Sequence, residues 1–131
     1  MGWSYMNVTA KEVMEYCLTK KDAYIEYPFG EVPIVFKVRK KIFAELYPNP
    51  EDYKITLKCD MVLADFYREQ YPSIVVRGYH CPPVQQPYRN TIWIAKIDEE
   101  ILFDMIDHSF KQVIKSLSKK EQVDFFECLN R

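Results

Sequence analysis

The sequence predicts an α+β fold, a two-layer sandwich with helices packed on one face of an antiparallel sheet. Three observations predict it. Three short runs between residues 34 and 59 alternate apolar and polar residues and are joined by turns, as antiparallel strands are. Ile101, Leu102, Met105, Ile106, Phe110, Val113, Ile114 and Leu117 form a single apolar helical stripe. The element order, α-β-β-β-α-(β)-β-α-α, supplies helices enough to cover one sheet face.

Each element has a local reason. Thr9-Ala10-Lys11-Glu12 fits a capping box, and Val13, Met14 and Cys17 follow at helical spacing, so a helix is expected from Ala10 to Thr19. A polar stretch and Tyr27-Pro28-Phe29-Gly30 end it, with Phe29 anchoring the corner and Gly30 making the turn. Strands are expected over 34–38, 42–46 and 54–59. Ile34, Phe36 and Val38 share one face of the first, and Ile42, Ala44 and Leu46 one face of the second. A tight turn at Arg39-Lys40 joins these two. Asp60 can cap a helix over 61–70, which Pro72 ends. Ser73–Val76 reads as a short strand, Gly78–Asn90 as an irregular loop, and Thr91–Ile97 as an interior strand apolar on both faces. Asp98 caps the long striped helix. Ser118-Lys119-Lys120-Glu121 is a second capping box opening a last helix that ends near Leu129.

The chain has 131 residues, is 48% hydrophobic and 28% charged, and contains no repeat or linker, so one globular domain over 1–131 is expected. Eighteen basic against nineteen acidic residues give a net charge of −1, which excludes a strongly basic nucleic-acid coat. Met1 to Thr9 has no cationic and apolar pattern of a signal peptide, and no apolar run is long enough to span a membrane. Cys17, Cys59, Cys81 and Cys128 form no Cys-x-x-Cys pair and no His pair stands at ligand spacing, so no zinc site is expected. These features fit a reduced, cytoplasmic protein, monomeric and without a cofactor. Cys17 and Cys59 should be buried and Cys81 the most reactive thiol.

Several blocks of residues resemble one known family. Glu15-Tyr16-Cys17-Leu18, Tyr27-Pro28-Phe29-Gly30-Glu31 and Leu57-Lys58-Cys59-Asp60 are followed by Arg68-Glu69-Gln70-Tyr71-Pro72, Gly78-Tyr79-His80, Asn90-Thr91 and Ile106-Asp107-His108-Ser109. Together, in this order, they resemble the MmcQ/YjbR family across residues 10–120. The resemblance implies an α+β fold of the secretion-chaperone type and DNA binding through a double-wing arrangement. The chain departs from the family at three places. Arg39-Lys40 stands where Gly-Gly or Asn-Gly is frequent, Tyr88-Arg89 where His-Trp is expected, and the loop from Cys81 to Arg89 is longer and proline-rich.

The charge is segregated. Val32–Ala44 holds Lys37, Arg39, Lys40 and Lys41 and no carboxylate; Gln70–Ile97 holds Arg77, Arg89 and Lys96 and again none. Two readings follow: a surface that tracks phosphates, or solvated turn residues that keep an edge strand from pairing. Tyr79, His80, Tyr88, Arg89, Asn90 and Trp93 could stack on bases or bond base edges. Alternatively Gly78 takes a positive φ while Tyr79 and His80 pack back onto the sheet.

Catalysis is not expected. On an extended segment His80 and Cys81 point opposite ways, so no thiolate–imidazole pair forms. Asp107-His108-Ser109 is a triad by letters only, being about 100° apart on a helix. His108 is expected as a helix-surface or packing histidine, bonded to Asp104 one turn back. The reading is therefore a non-enzymatic protein that binds DNA, mainly at phosphates, through Lys37, Arg39, Lys40, Lys41, Arg77, His80, Arg89 and Asn90. A protein-interaction module is the alternative, and a pocket near His80 a third.

Overall fold

The computed structural model describes residues 9–129, with side chains through residue 127. Most of the Met1–Thr9 reading and the Cys128 side chain lie outside the described residues. Helix α1 is Ala10–Leu18, α2 Met61–Gln70, α3 Glu99–Lys115 and α4 Lys119–Leu129. The strands are β1 Tyr24–Glu26, β2 Ile34–Val38, β3 Lys41–Tyr47, β4 Lys54–Lys58, β5 Val75–Arg77 and β6 Arg89–Trp93. They form one antiparallel sheet in the order β1-β2-β3-β4-β6-β5.

The caps behave as their residue types require. The Thr9 hydroxyl accepts the Glu12 N–H at 3.1 Å, Asp60 accepts that of Leu63 at 3.2 Å, and Ser118 accepts that of Glu121 at 3.1 Å. Asp98 occupies the cap position of α3, but its side chain makes no capping bond.

One core joins sheet and helices. Ile34, Phe36, Val38, Leu46, Ile55, Leu57 and Ile92 from the sheet meet Val13, Leu102, Met105, Ile106, Val113 and Phe125 from the helices and Leu117 from the turn between α3 and α4. Helix α1 is fastened to α3 by polar and ring contacts. Tyr16 stacks on Phe103 at 3.9 Å and donates to Asp107 at 2.6 Å, and Lys20 pairs with the same carboxylate. Helix α2 is tied to the sheet through Asn90, which donates to the Ala64 carbonyl at 3.2 Å and accepts from Arg68 at 2.6 Å.

The structure corrects several expectations. Strand β1 forms within the polar stretch that follows α1, where no strand is expected. At three residues, half-exposed on both faces, it carries no alternation to read. Strand β3 does not bury Ile42 with Ala44 and Leu46. Phe36 faces Ala44 while Lys37 faces Ile42, so Phe43 is an extra, bulged residue. Phe43 and Ala44 are both buried, and Ile42 turns to the opposite face. Strand β6 starts and stops earlier than expected, and Ile94–Lys96 form a 3-10 turn. Phe29 is 63% exposed rather than an anchor, while Gly30 does take a positive φ of 106°. The hairpin turn at Arg39-Lys40 is tight as expected, but both residues have positive φ, 50° and 69°, a geometry that favours Asn-Gly.

Candidate functional site

Strand pairing sets the ends of the strands in a row. Lys41 opens β3, Lys58 closes β4, Arg89 opens β6 and Arg77 closes β5, all at one end of the sheet, with Lys58 and Arg89 on the face away from the helices and Lys41 and Arg77 on the helix face. Lys58 lies directly across from Arg89. At about 4.8 Å per strand the row from β3 to β5 spans roughly 14 Å. Like charges so placed repel. Burial, then Arg89 and Lys41, push the Lys58 ammonium below its ordinary value.

On the sheet face turned away from the helices, the segment before β2 and the loop after β5 border a half-open pocket of about 400 Å³, lined by Ile42, Glu45, Tyr47 and Arg89 from the sheet and His80 and Cys81 from the loop. Val35, across from Glu45, is fully buried.

Within the pocket His80 and Cys81 meet, contrary to expectation. The segment is a turn, not extended: Tyr79 N–H bonds the Arg77 carbonyl at 2.8 Å and Cys81 N–H the Gly78 carbonyl at 2.9 Å. The turn brings Cys81 Sγ to 3.6 Å from His80 Nε2, which lies 3.5 Å from Glu45 Oε1. The imidazole meets the Tyr47 ring edge-on at 5.7 Å. Gly78 is needed here for space rather than for a positive φ. A Cβ on it would stand 3.2 Å from Arg89 Cβ and 3.3 Å from Cys81 Sγ. Burial and Glu45 push the Cys81 thiol up, against Arg89, so at neutral pH it is a thiol rather than a ready nucleophile.

The other expected site residues are dispersed. Lys37 pairs with Glu26 at 2.6 Å. Arg39 turns onto α4, pairing with Asp124 at 2.9 Å and lying over the Phe125 ring. Lys40 is exposed at the turn, and Lys41 reaches Ser116 at 3.4 Å. Asn90 is buried under α2 and both ends of its amide are used there, so it presents no edge to a base. Tyr79 is exposed rather than packed back. His108 does not bond Asp104; its Nε2 accepts the Asp60 N–H at 3.0 Å. Lys58, Glu45 and Tyr47 were missed as site residues. Their signal was present only as parity, since residues 45, 47 and 58 fall on the strand face opposite the core.

A second concavity, about 450 Å³, lies between α3 and α4. Phe110, Ile114, Phe125 and Phe126 line it, with Lys21, Lys111 and Lys115 at its rim.

Fold and site define a small α+β sandwich with one sheet face covered by helices and the other bearing a pocket bordered by loops. The chain belongs to the YjbR family, whose family model matches residues 18–112. Among solved structures it is similar to protein DR2400 of Deinococcus radiodurans, described as carrying domain DUF419. The TM-score is 0.82 at 21% identity, over 92% of this chain and 88% of that one. It is also similar to a protein from Pseudomonas syringae, with a TM-score of 0.66 at 18% identity, over 80% of this chain and 98% of that one. At these identities the likeness shows the fold alone. No curated protein matches the sequence. No described helix is long and apolar enough to cross a membrane.

Proposed function

We propose that the protein binds double-stranded DNA through its phosphates, along the row Lys41–Lys58–Arg89–Arg77. The observation that supports this reading is the pairing of Lys58 directly across from Arg89 on the face away from the helices, with Lys41 close enough to add to the repulsion on Lys58. A phosphate placed there offsets the repulsion that Lys58 otherwise bears. Binding of this kind is weak, nearly indifferent to sequence and steeply salt-dependent.

An anisotropy titration of a labelled duplex from about 50 to about 200 mM salt tests it. Lys58→Ala with Arg89→Ala should flatten the slope of log affinity against log salt by about 1.8, at about 0.9 per lost contact. Arg39→Ala should change the slope little, because that side chain is engaged with Asp124. Lys119→Ala with Lys120→Ala serves as the charge-matched control. Absence of binding at the low-salt end, or a control pair that matters as much as the row, would sink the reading.

The second reading, docking of a protein partner, is favoured by the groove between α3 and α4. Its apolar floor and lysine rim suit an acidic amphipathic segment. Phe126→Ser, at a half-exposed position, would then weaken partner binding and leave duplex binding untouched.

A further inference from the structure

We propose that Glu45, His80 and Cys81 form a binding site for a divalent transition metal, with Zn²⁺ the best fit. The inference is independent of DNA binding.

Spacing is the first argument. One ligand atom from each residue lies within 4.8 Å of the others, with Sγ to Nε2 at 3.6 Å and Nε2 to Oε1 at 3.5 Å. The Nε2–Oε1 distance is long for a hydrogen bond, which prefers about 2.9–3.0 Å. Both distances are the edges of a metal tetrahedron. Bonds of about 2.3 Å to sulfur and about 2.0–2.1 Å to nitrogen and oxygen set neighbouring ligand atoms roughly 3.3–3.6 Å apart.

Chemistry and support are the second. A thiolate, an imidazole and a carboxylate together suit zinc and suit magnesium or calcium poorly. Two anionic ligands balance the metal's charge once the Cys81 proton leaves to solvent. The ligands come from elements that hold them in place. Glu45 sits inside β3, with its side chain 12% exposed, and the other two come from a hydrogen-bonded turn that Gly78 packs against Arg89. Tyr47 orients the imidazole from below. Three protein ligands would leave a fourth position, and the 400 Å³ pocket that all three line together with Arg89 has room for its occupant. Open three-ligand zinc sites of this kind take water or an anionic ligand there. The sequence hid the site because Glu45 lies 35 residues from His80 and no ligand pair follows a spacing rule.

Cobalt substitution is the experiment. The purified full chain, stripped with a chelator and titrated with Co²⁺, should bind one metal per chain. It should show the thiolate-to-cobalt charge-transfer band and the strong visible absorption of tetrahedral coordination. Zn²⁺ should displace it and protect Cys81 from a thiol reagent. Cys81→Ser should abolish the charge-transfer band. His80→Gln and Glu45→Gln should each weaken Zn²⁺ binding by at least about tenfold. His80 is exposed, so its variant should keep the wild-type circular dichroism and melting point without metal. A missing band, a band that persists in Cys81→Ser, or a stoichiometry of one metal per two chains would overturn the three-ligand site.

Discussion

The Ser109 hydroxyl donates to the Phe43 carbonyl at 2.5 Å, and its oxygen accepts the Lys58 N–H at 2.9 Å. The β3–β4 ladder stops at Ala44 and Leu57 because Phe43 is bulged out of register. A fully buried serine on α3 takes the place of the missing rung. Ser109→Ala should leave a carbonyl and an amide unpaired, at a cost of about 1–3 kcal/mol for each. Urea denaturation of the variant, with its slope unchanged, would measure this. A loss below about 0.5 kcal/mol would mean that water replaces the hydroxyl there.

His108 predicts a pH dependence. Burial, with Lys111 and Lys115, pushes its imidazole below the ordinary 6.5, against Asp60. As an acceptor of the Asp60 N–H its Nε2 must be unprotonated. Between the lowered native value and 6.5 the unfolded chain binds a proton that the native chain refuses. Stability from this group is therefore complete above 6.5, declines as pH falls below it, and levels off beneath the native value. His108→Gln keeps an acceptor and cannot titrate. The difference between its urea midpoints and those of the wild type should change with pH only in that window. A constant difference from about pH 8 to about pH 5 would exclude the effect.

Core substitutions separate the two faces of α3. Ile106 is fully buried, and Ile106→Ala should cost about 2–5 kcal/mol. Phe110 is half-buried at the α4 groove, its ring edge-on to Phe43 at 5.2 Å. Phe110→Ala should cost less than Ile106→Ala, because part of the ring never leaves water. Thermal or urea unfolding of both variants checks the order. The reverse order would place the core seam on the other side of the helix.

Much of this architecture is legible from period and punctuation. The stripe from Leu102 to Leu117, the alternation over 54–58 and the Ser118–Glu121 box each carry a local signal strong enough to survive packing. Strand β1 carried none, because three residues, all at least partly exposed, leave no alternation to read. Bulges and turns were the other blind spot. Nothing in Lys41-Ile42-Phe43-Ala44 announces that two consecutive residues turn inward, and the turn at 78–81 reads as extended chain until its hydrogen bonds are seen. The candidate site was half visible for that reason. The basic segments could be read, but their meeting through Lys58 depends on strand order, and the approach of Glu45 to His80 on tertiary contact alone.

The bulge at Phe43 also bears on how chains of this family should be aligned. With that one residue deleted, Phe36 would still face Ala44, Lys37 would still face Ile42 and Val38 would still face Lys41, now in unbroken register. A homologue shorter by one residue in this hairpin therefore keeps every other side chain on its present face. It loses only the Phe43 ring and the carbonyl that Ser109 bonds. A gap belongs at position 43, and a serine at 109 should accompany its presence.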